Sequence, residues 1–247
     1  IDFKTNFNFL QIAMMGPRKN LETSIKCFVD EFRQNSDVGL VLKTSSSRSS
    51  VIDRIKTRKK LQNYIETLGK KKCKIYLIHG NLSESEIHSL YHHPKIKAYY
   101  TTTHGEGFGL PIFEAAYSGL PIIATDWSGH LDFLSAEYEG KTKKLFAKID
   151  YELKEVQKEA IWGDLITKES RWAFVKQNSV RSQLSKVYKN HGMYKKWAKV
   201  LKDKVVNSHS EEKILFKMKN KILPDLPQHS EVLSDQQKQS NEVVVFD

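Results

Sequence analysis

Two glutamates, Glu106 and Glu114, flank a glycine-rich turn in the run Gly105-Glu106-Gly107-Phe108-Gly109-Leu110-Pro111-Ile112-Phe113-Glu114. An ionised carboxylate accepts two hydroxyl hydrogen bonds, so a pair of them suits a polyol. Gly105, Gly107 and Gly109 permit positive φ and let a backbone approach a ligand closely. Pro111 suits the first turn of a helix, where a missing N–H costs nothing. The amides at such a helix start, together with its dipole, favour a phosphate or a sugar oxygen. Around this loop the sequence predicts a strand from Lys97 to Thr101, a helix opening at Pro111, and a second strand over Pro121-Ile122-Ile123-Ala124-Thr125. Strand, glycine loop, helix, strand is how α/β proteins build anion sites.

A second group that could do chemistry lies near the start. Phe7 to Ala13 reads as a strand, and Leu21, Ile25, Phe28, Val29 and Phe32 share one helical face. Between them, Arg18 and Lys19 occupy a strand-to-helix turn that can bring cations to a diphosphate, with Asn20 as the expected N-cap. The alternation continues with a strand over Val38 to Lys43, a Ser45–Ser50 loop and a helix from about Val51 to Leu68. A strand over Lys74 to Ile78 follows, then a short helix capped at Ser83 and ending near Tyr91. This pattern predicts an α/β fold, a doubly wound Rossmann-like parallel sheet with helices on both faces. Ligands in such sheets bind at the carboxyl ends of the strands. Arg18, Lys43, Asn81, His104 and Glu106 all follow predicted strands and are expected to converge there.

The segment GEGFGLPIFEAAYSGLPIIATDWSGHLDFL, residues 105 to 134, closely resembles the donor-site signature of family-4 glycosyltransferases of the GT-B architecture. Their E-x7-E motif matches Glu106 and Glu114. The resemblance implies that Glu106, the catalytic candidate, contacts the transferred sugar and that Glu114 holds the ribose hydroxyls. It implies that the loop Gly107, Phe108, Gly109 and Leu110 faces the sugar and diphosphate. Family members neutralise the leaving group with a Gly-Arg…Lys pattern or a basic pair. Met14 stands near where many members place the arginine, so the role passes either to Arg18 with Lys19 or to Lys19 alone. His104, at the strand end, is a further substrate-binding candidate. The donor is then a nucleoside-diphosphate sugar, with no cofactor, no metal and retention of configuration. Residues 5 to about 206 resemble only the C-terminal, donor-binding half of the two-domain enzymes. The missing partner is an N-terminal acceptor domain, and the implied acceptor is a glycan or a lipid-linked sugar.

Composition bounds the remainder. A chain of 247 residues at 39% hydrophobic can bury one substantial core. Cys27 and Cys73 suggest neither a disulfide framework nor a zinc site, which fits a reducing, cytoplasmic compartment. No apolar stretch approaches the roughly 20 residues a membrane span needs, and no signal peptide is visible. The chain opens on Ile1 rather than methionine, as an excised piece would. Residues 141 to 221 carry 21 Lys and Arg against 9 Asp and Glu, which accounts for the formal net charge of +11. This stretch reads as helices, with Trp162, Trp172, Val187, Tyr188, Tyr194 and Trp197 available for packing. Its basic surface fits peripheral contact with anionic lipid; no nucleic-acid-binding motif accompanies it. The expected division is a nucleotide-sugar-binding domain over 1–206 and a C-terminal helix with a loosely ordered tail over 207–247, the tail holding Pro224, Pro227 and an apolar Val243–Phe246 end. Two rivals share the glycine loop. A nicotinamide-dependent oxidoreductase would use Asp126, but Leu110 stands at the third fingerprint glycine position and the loop follows a late strand. A binding module without turnover would keep the same fold.

Overall fold

A computed structural model describes residues 2–47 and 49–221. Ten strands and seven α-helices follow one another among these residues. The first half alternates as expected: β1 (Phe7–Ile12), α1 (Leu21–Phe32), β2 (Val38–Lys43), α2 (Val51–Thr67), β3 (Lys74–Ile78), α3 (Glu84–Tyr91), β4 (Ile96–Tyr100), α4 (Leu110–Ser118) and β5 (Ile122–Thr125). Then come β6 (Ser135–Tyr138), β7 (Lys141–Lys144), β8 (Ala147–Ile149), β9 (Tyr151–Glu155), β10 (Arg171–Val175), α5 (Gln177–Lys189), α6 (His191–Ser208) and α7 (Glu211–Lys221).

Six strands form one parallel sheet in the order β3-β2-β1-β4-β5-β8. Its near-continuous apolar strands, such as Val38-Gly39-Leu40-Val41-Leu42, mark a sheet covered on both faces. One core packs α1, α2 and α5 on the first face through Ile25, Phe28, Phe32, Leu61, Val180 and Leu184. The other packs α3, α4 and the end of α6 on the second face through Leu90, Ile112, Ala115, Leu201 and Val205. The sheet is therefore doubly wound and Rossmann-like. A first compact unit ends at Val205.

The reading of 141–221 as helices is corrected for its first part. Residues 141–175 hold β7 to β10 and a single 3-10 turn, and the α-helices α5, α6 and α7 follow. β7 pairs antiparallel with β6 through a turn in which Glu139 (φ 53°) and Gly140 (φ 72°) are both left-handed, as a tight hairpin requires. β8 is a three-residue edge strand, too short to show a period. β9 and β10 pair as an exposed, charge-rich hairpin whose alternation is hidden by its lysines and glutamates. Trp162, one of the aromatics read as available for packing, lies exposed on the connection between them. Asn20 occupies the α1 N-cap position but makes no side-chain cap; its amide donates to the Thr102 carbonyl instead. Ser83 caps α3 as expected, in a reciprocal capping box with Glu86. Pro224, Pro227 and Val243–Phe246 lie outside the described residues. No helix among the described residues is long and apolar enough to cross a membrane.

Candidate functional site: a carboxylate and two cations at the switch point

β1 and β4 are neighbours at the point where the strand order reverses. Their carboxyl ends diverge to helices on opposite faces and leave a crevice between them. From β1 the chain passes through a short 3-10 turn at Pro17–Lys19 into α1. From β4 it runs through the buried Thr101, Thr102, Thr103 and His104 into the glycine loop and α4. Arg18, Lys19 and Glu106 meet in this crevice.

The Glu106 side chain is 10% exposed and three side chains hold it. Arg18 Nη1 lies 2.7 Å from Oε2, Lys19 Nζ lies 2.6 Å from Oε1, and the Thr103 hydroxyl donates to Oε1 at 2.8 Å. Burial alone would push the carboxyl up, but the hydrogen bonds and charges of Lys19 and Arg18 outweigh it and hold Glu106 below the ordinary glutamate range. Arg18 also donates to the Gly105 carbonyl. The loop backbone is clamped from behind by the turn after β5. Glu106 N donates to Ser128 Oγ (2.9 Å), and the Glu106 carbonyl accepts from Ser128 Oγ (2.6 Å) and Gly129 N (3.0 Å). Gly129 is obligatory here, because a Cβ on it would sit 1.8 Å from the Gly107 carbonyl oxygen. Of the three loop glycines, Gly109 alone is left-handed (φ +86°); it is the residue that starts α4, and a Cβ there would press on His130. Gly105 and Gly107 therefore do not need the positive φ expected of them.

His104 is buried and tied into the fold by its backbone, with its N–H on the Arg18 carbonyl and its carbonyl receiving the Ala173 N–H. Its ring lies against Trp172 and Phe174. Nδ1 is 2.7 Å from the Ala173 carbonyl, which can only accept, so Nδ1 carries the proton. Burial lowers the His104 pKa, against a smaller upward pull from that hydrogen bond. The ring is neutral, and its Nε2 is a buried acceptor without a hydrogen-bond partner.

Glu114 takes a different neighbourhood from Glu106. It projects from the second turn of α4 and accepts from Tyr91 Oη on α3 at 2.8 Å. Burial, then the neighbouring Tyr99 and Glu114, push the Tyr91 phenol far above its ordinary value, so it is a fixed donor. Two cavities flank the start of α4. The first, about 760 Å³, has Arg18, Lys19, Lys43, Thr44 and Pro111 in its wall. The second, about 470 Å³, has Leu82, Tyr91, Leu110, Phe113 and Glu114. Glu114 lines the second cavity, while Glu106 is paired with Arg18 and Lys19 of the first cavity's wall. Lys43 reaches the Gly80 carbonyl (2.8 Å), and Asn81 lies exposed. Phe108 is partly exposed and packs on Phe113 and Phe133.

A sequence model of the family described as glycosyl transferases group 1 matches residues 2–156. The chain belongs to the group 1 glycosyltransferases. Among curated relatives, the serotype-specific mannosyltransferase WbdA of Escherichia coli is 26% identical over 121 residues, 48% of this chain and 13% of that protein. The chain thus matches only a small part of that relative's length. Among solved structures, the C-terminal domain of the group 1 glycosyl transferase LpcC of Francisella tularensis is 16% identical, with TM-score 0.52 over 83% of this chain and 86% of that one. Anabaena Alr3699/HepE, solved with UDP and glucose, is 14% identical, with TM-score 0.58 over 88% of this chain and 48% of that one. The fold is that of the C-terminal, GT-B-type domain of such transferases.

Sequence reasoning named Arg18, Lys19, His104, Glu106 and Glu114 as candidates but not four residues that hold them or their loop in place: Thr103, Ser128, Gly129 and Tyr91. The Ser128-Gly129 pair, three residues beyond the end of a strand, was a turn signal that could have pointed to the loop clamp. Nothing local marked Tyr91, which reaches Glu114 from another helix.

Proposed function

We propose that this chain is the donor-binding half of a retaining glycosyltransferase that moves a hexose from a nucleoside-diphosphate sugar to a glycan or lipid-linked acceptor. The observation that carries this reading is Glu106 gripped between Arg18, Lys19 and Thr103 at the switch point of the sheet. Glu114 and the second cavity receive the ribose and base. Arg18, Lys19 and the Gly107–Leu110 backbone face the diphosphate, whose charge they meet without a metal or cofactor. Glu106, preorganised as an anion, orients the sugar through its hydroxyls. His104 Nε2 offers a further acceptor to a hydroxyl. As the anomeric C–O bond to phosphate breaks, the acceptor oxygen bonds to the same face of the anomeric carbon. Its proton passes to the departing phosphate oxygen. The acceptor domain that completes the cleft lies outside this chain, and the working compartment is the cytoplasm, with the lysines of α6 and α7 available to anionic lipid.

The test is thermal denaturation of the chain with UDP, GDP, ADP, CMP and NAD, in parallel with Glu114→Ala. A nucleotide at 100 times its dissociation constant adds about 2.7 kcal/mol, a melting shift of about 5–10 °C for a domain of this size. One diphosphate is expected to stabilise selectively, with the shift lost in Glu114→Ala. Stabilisation by NAD alone, or by none of the five, would reject the reading.

A further inference from the structure

The connection between β9 and β10 begins where the family match ends, at Val156, and forms a wall of the first cavity. A 3-10 turn at Lys158–Ala160 packs against the Pro17–Lys19 turn that carries the two cations. Beyond it the chain closes tightly on itself: Trp162 and Ile166 exchange backbone hydrogen bonds at 3.0 and 3.2 Å, and Gly163 takes the left-handed conformation (φ +49°) the turn needs. This closed turn presents Trp162, 68% exposed, on the cavity. Glu159 lines the same wall, and Trp172, the partner of the His104 ring, lies behind.

A large indole exposed on a hydrogen-bonded turn offers a flat apolar face to a ligand. We infer that Trp162 and Glu159 form a saccharide subsite, distinct from the donor loop, that receives the acceptor sugar. This inference rests on the donor reading above, which assigns the nucleoside to the second cavity on the other side of the α4 start. The first cavity, whose wall includes Arg18 and Lys19, then takes the diphosphate end of the donor and has room beside it for sugar. An aromatic face covers the apolar C–H face of a pyranose, while a carboxylate accepts from its equatorial hydroxyls. Convergent apolar and polar groups in one concave wall are what a small-ligand site requires.

The experiment uses the full chain labelled with 5-fluorotryptophan, whose four resonances are assigned from single Trp→Phe variants. UDP and GDP are titrated first, then methyl α-hexosides and α-linked disaccharides in the presence of whichever nucleotide binds. The Trp162 resonance is expected to move saturably with saccharide and not with nucleotide, while those of Trp127 and Trp197 stay put. Trp162→Ala is expected to weaken saccharide binding about tenfold, the loss expected when an aromatic stacking face is removed. Glu159→Gln weakens it less, and both variants keep the wild-type nucleotide response. Movement of Trp162 with nucleotide alone would overturn the proposal in favour of a base-stacking platform. Nucleotide binding with no saccharide response at Trp162 would also overturn it, as expected if this face packs on another protein domain. Failure of every nucleotide to bind would instead remove the donor reading beneath it.

Discussion

Glu106 is an anion held in place before any substrate arrives, and its environment makes a pH prediction. Its folded pKa is depressed below that of the unfolded chain by Lys19 and Arg18 acting against burial. A depressed carboxyl contributes stability that is present above the unfolded pKa and is lost as pH falls through the folded one. The melting difference between wild type and Glu106→Gln is therefore expected to be constant from pH 7 to about 5 and to shrink below about pH 4.3, the ordinary glutamate value. A difference independent of pH down to 3 would show that the two cations do not stabilise the charge. Glu106→Gln also frees Arg18 and Lys19 for phosphate. Nucleoside diphosphate should bind it about as well as wild type, while any preference for the intact nucleotide sugar disappears in calorimetric titration. At Gly129 the constraint is steric. Alanine there must displace the Gly107 carbonyl, which a flexible side chain could yield to but a backbone cannot. A loss of about 2–3 kcal/mol follows, read as a fall in melting temperature together with loss of nucleotide response; a variant melting within about 1 °C of wild type would refute the clamp.

At the scale of elements, the strands of the sheet were legible because their apolar runs are bounded by turn residues, and α1 because its apolar residues share one face. The basic hairpins were not, since β7 and β9 carry charged residues on exposed ladders and look like any solvated segment. The start of α2 shows how a loop can be ordered from a distance. The buried Asp53 carboxylate accepts from the amides of Ser46, Ser47 and Ser49, from Thr57 Oγ1, and lies 3.2 Å from His79 Nε2 at the end of β3. Burial would raise its pKa, but these bonds hold it below the ordinary aspartate range. The serine loop and β3 are thus joined beside Thr44 and Ser45 in the first cavity. Asp53→Asn should speed hydrogen exchange at Ser46, Ser47 and Ser49 while leaving β1 and β4 protected. Unchanged exchange at the serines would mean that the loop is ordered by something else.

Over the whole molecule, the doubly wound sheet with two separate apolar faces accounts for the first compact unit, which ends at Val205. Leu201 and Val205, near the end of α6, still belong to the second-face core. A chain ending at Ser208 retains both and should melt within about 2 °C of the full chain with the same nucleotide response. A large drop in differential scanning calorimetry would show that residues beyond α6 contribute to this unit.

The sequence by itself determined what depends on near neighbours. The glycine loop, the proline at the start of α4, the capped start of α3 and the order of strands and helices are all properties of short windows, where backbone freedom, capping and apolar period act. The family signature was legible for the same reason, being one continuous run. Only the tertiary structure decided which side chains share a space. Arg18 meets Glu106 across 88 residues and Tyr91 meets Glu114 from another helix. The two glutamates, one helical turn and a loop apart, take different partners, Arg18 and Lys19 for one and Tyr91 for the other. Such pairings are set by where β1 lies beside β4 and how α3 packs on α4, and those are decided by burial of both sheet faces at once.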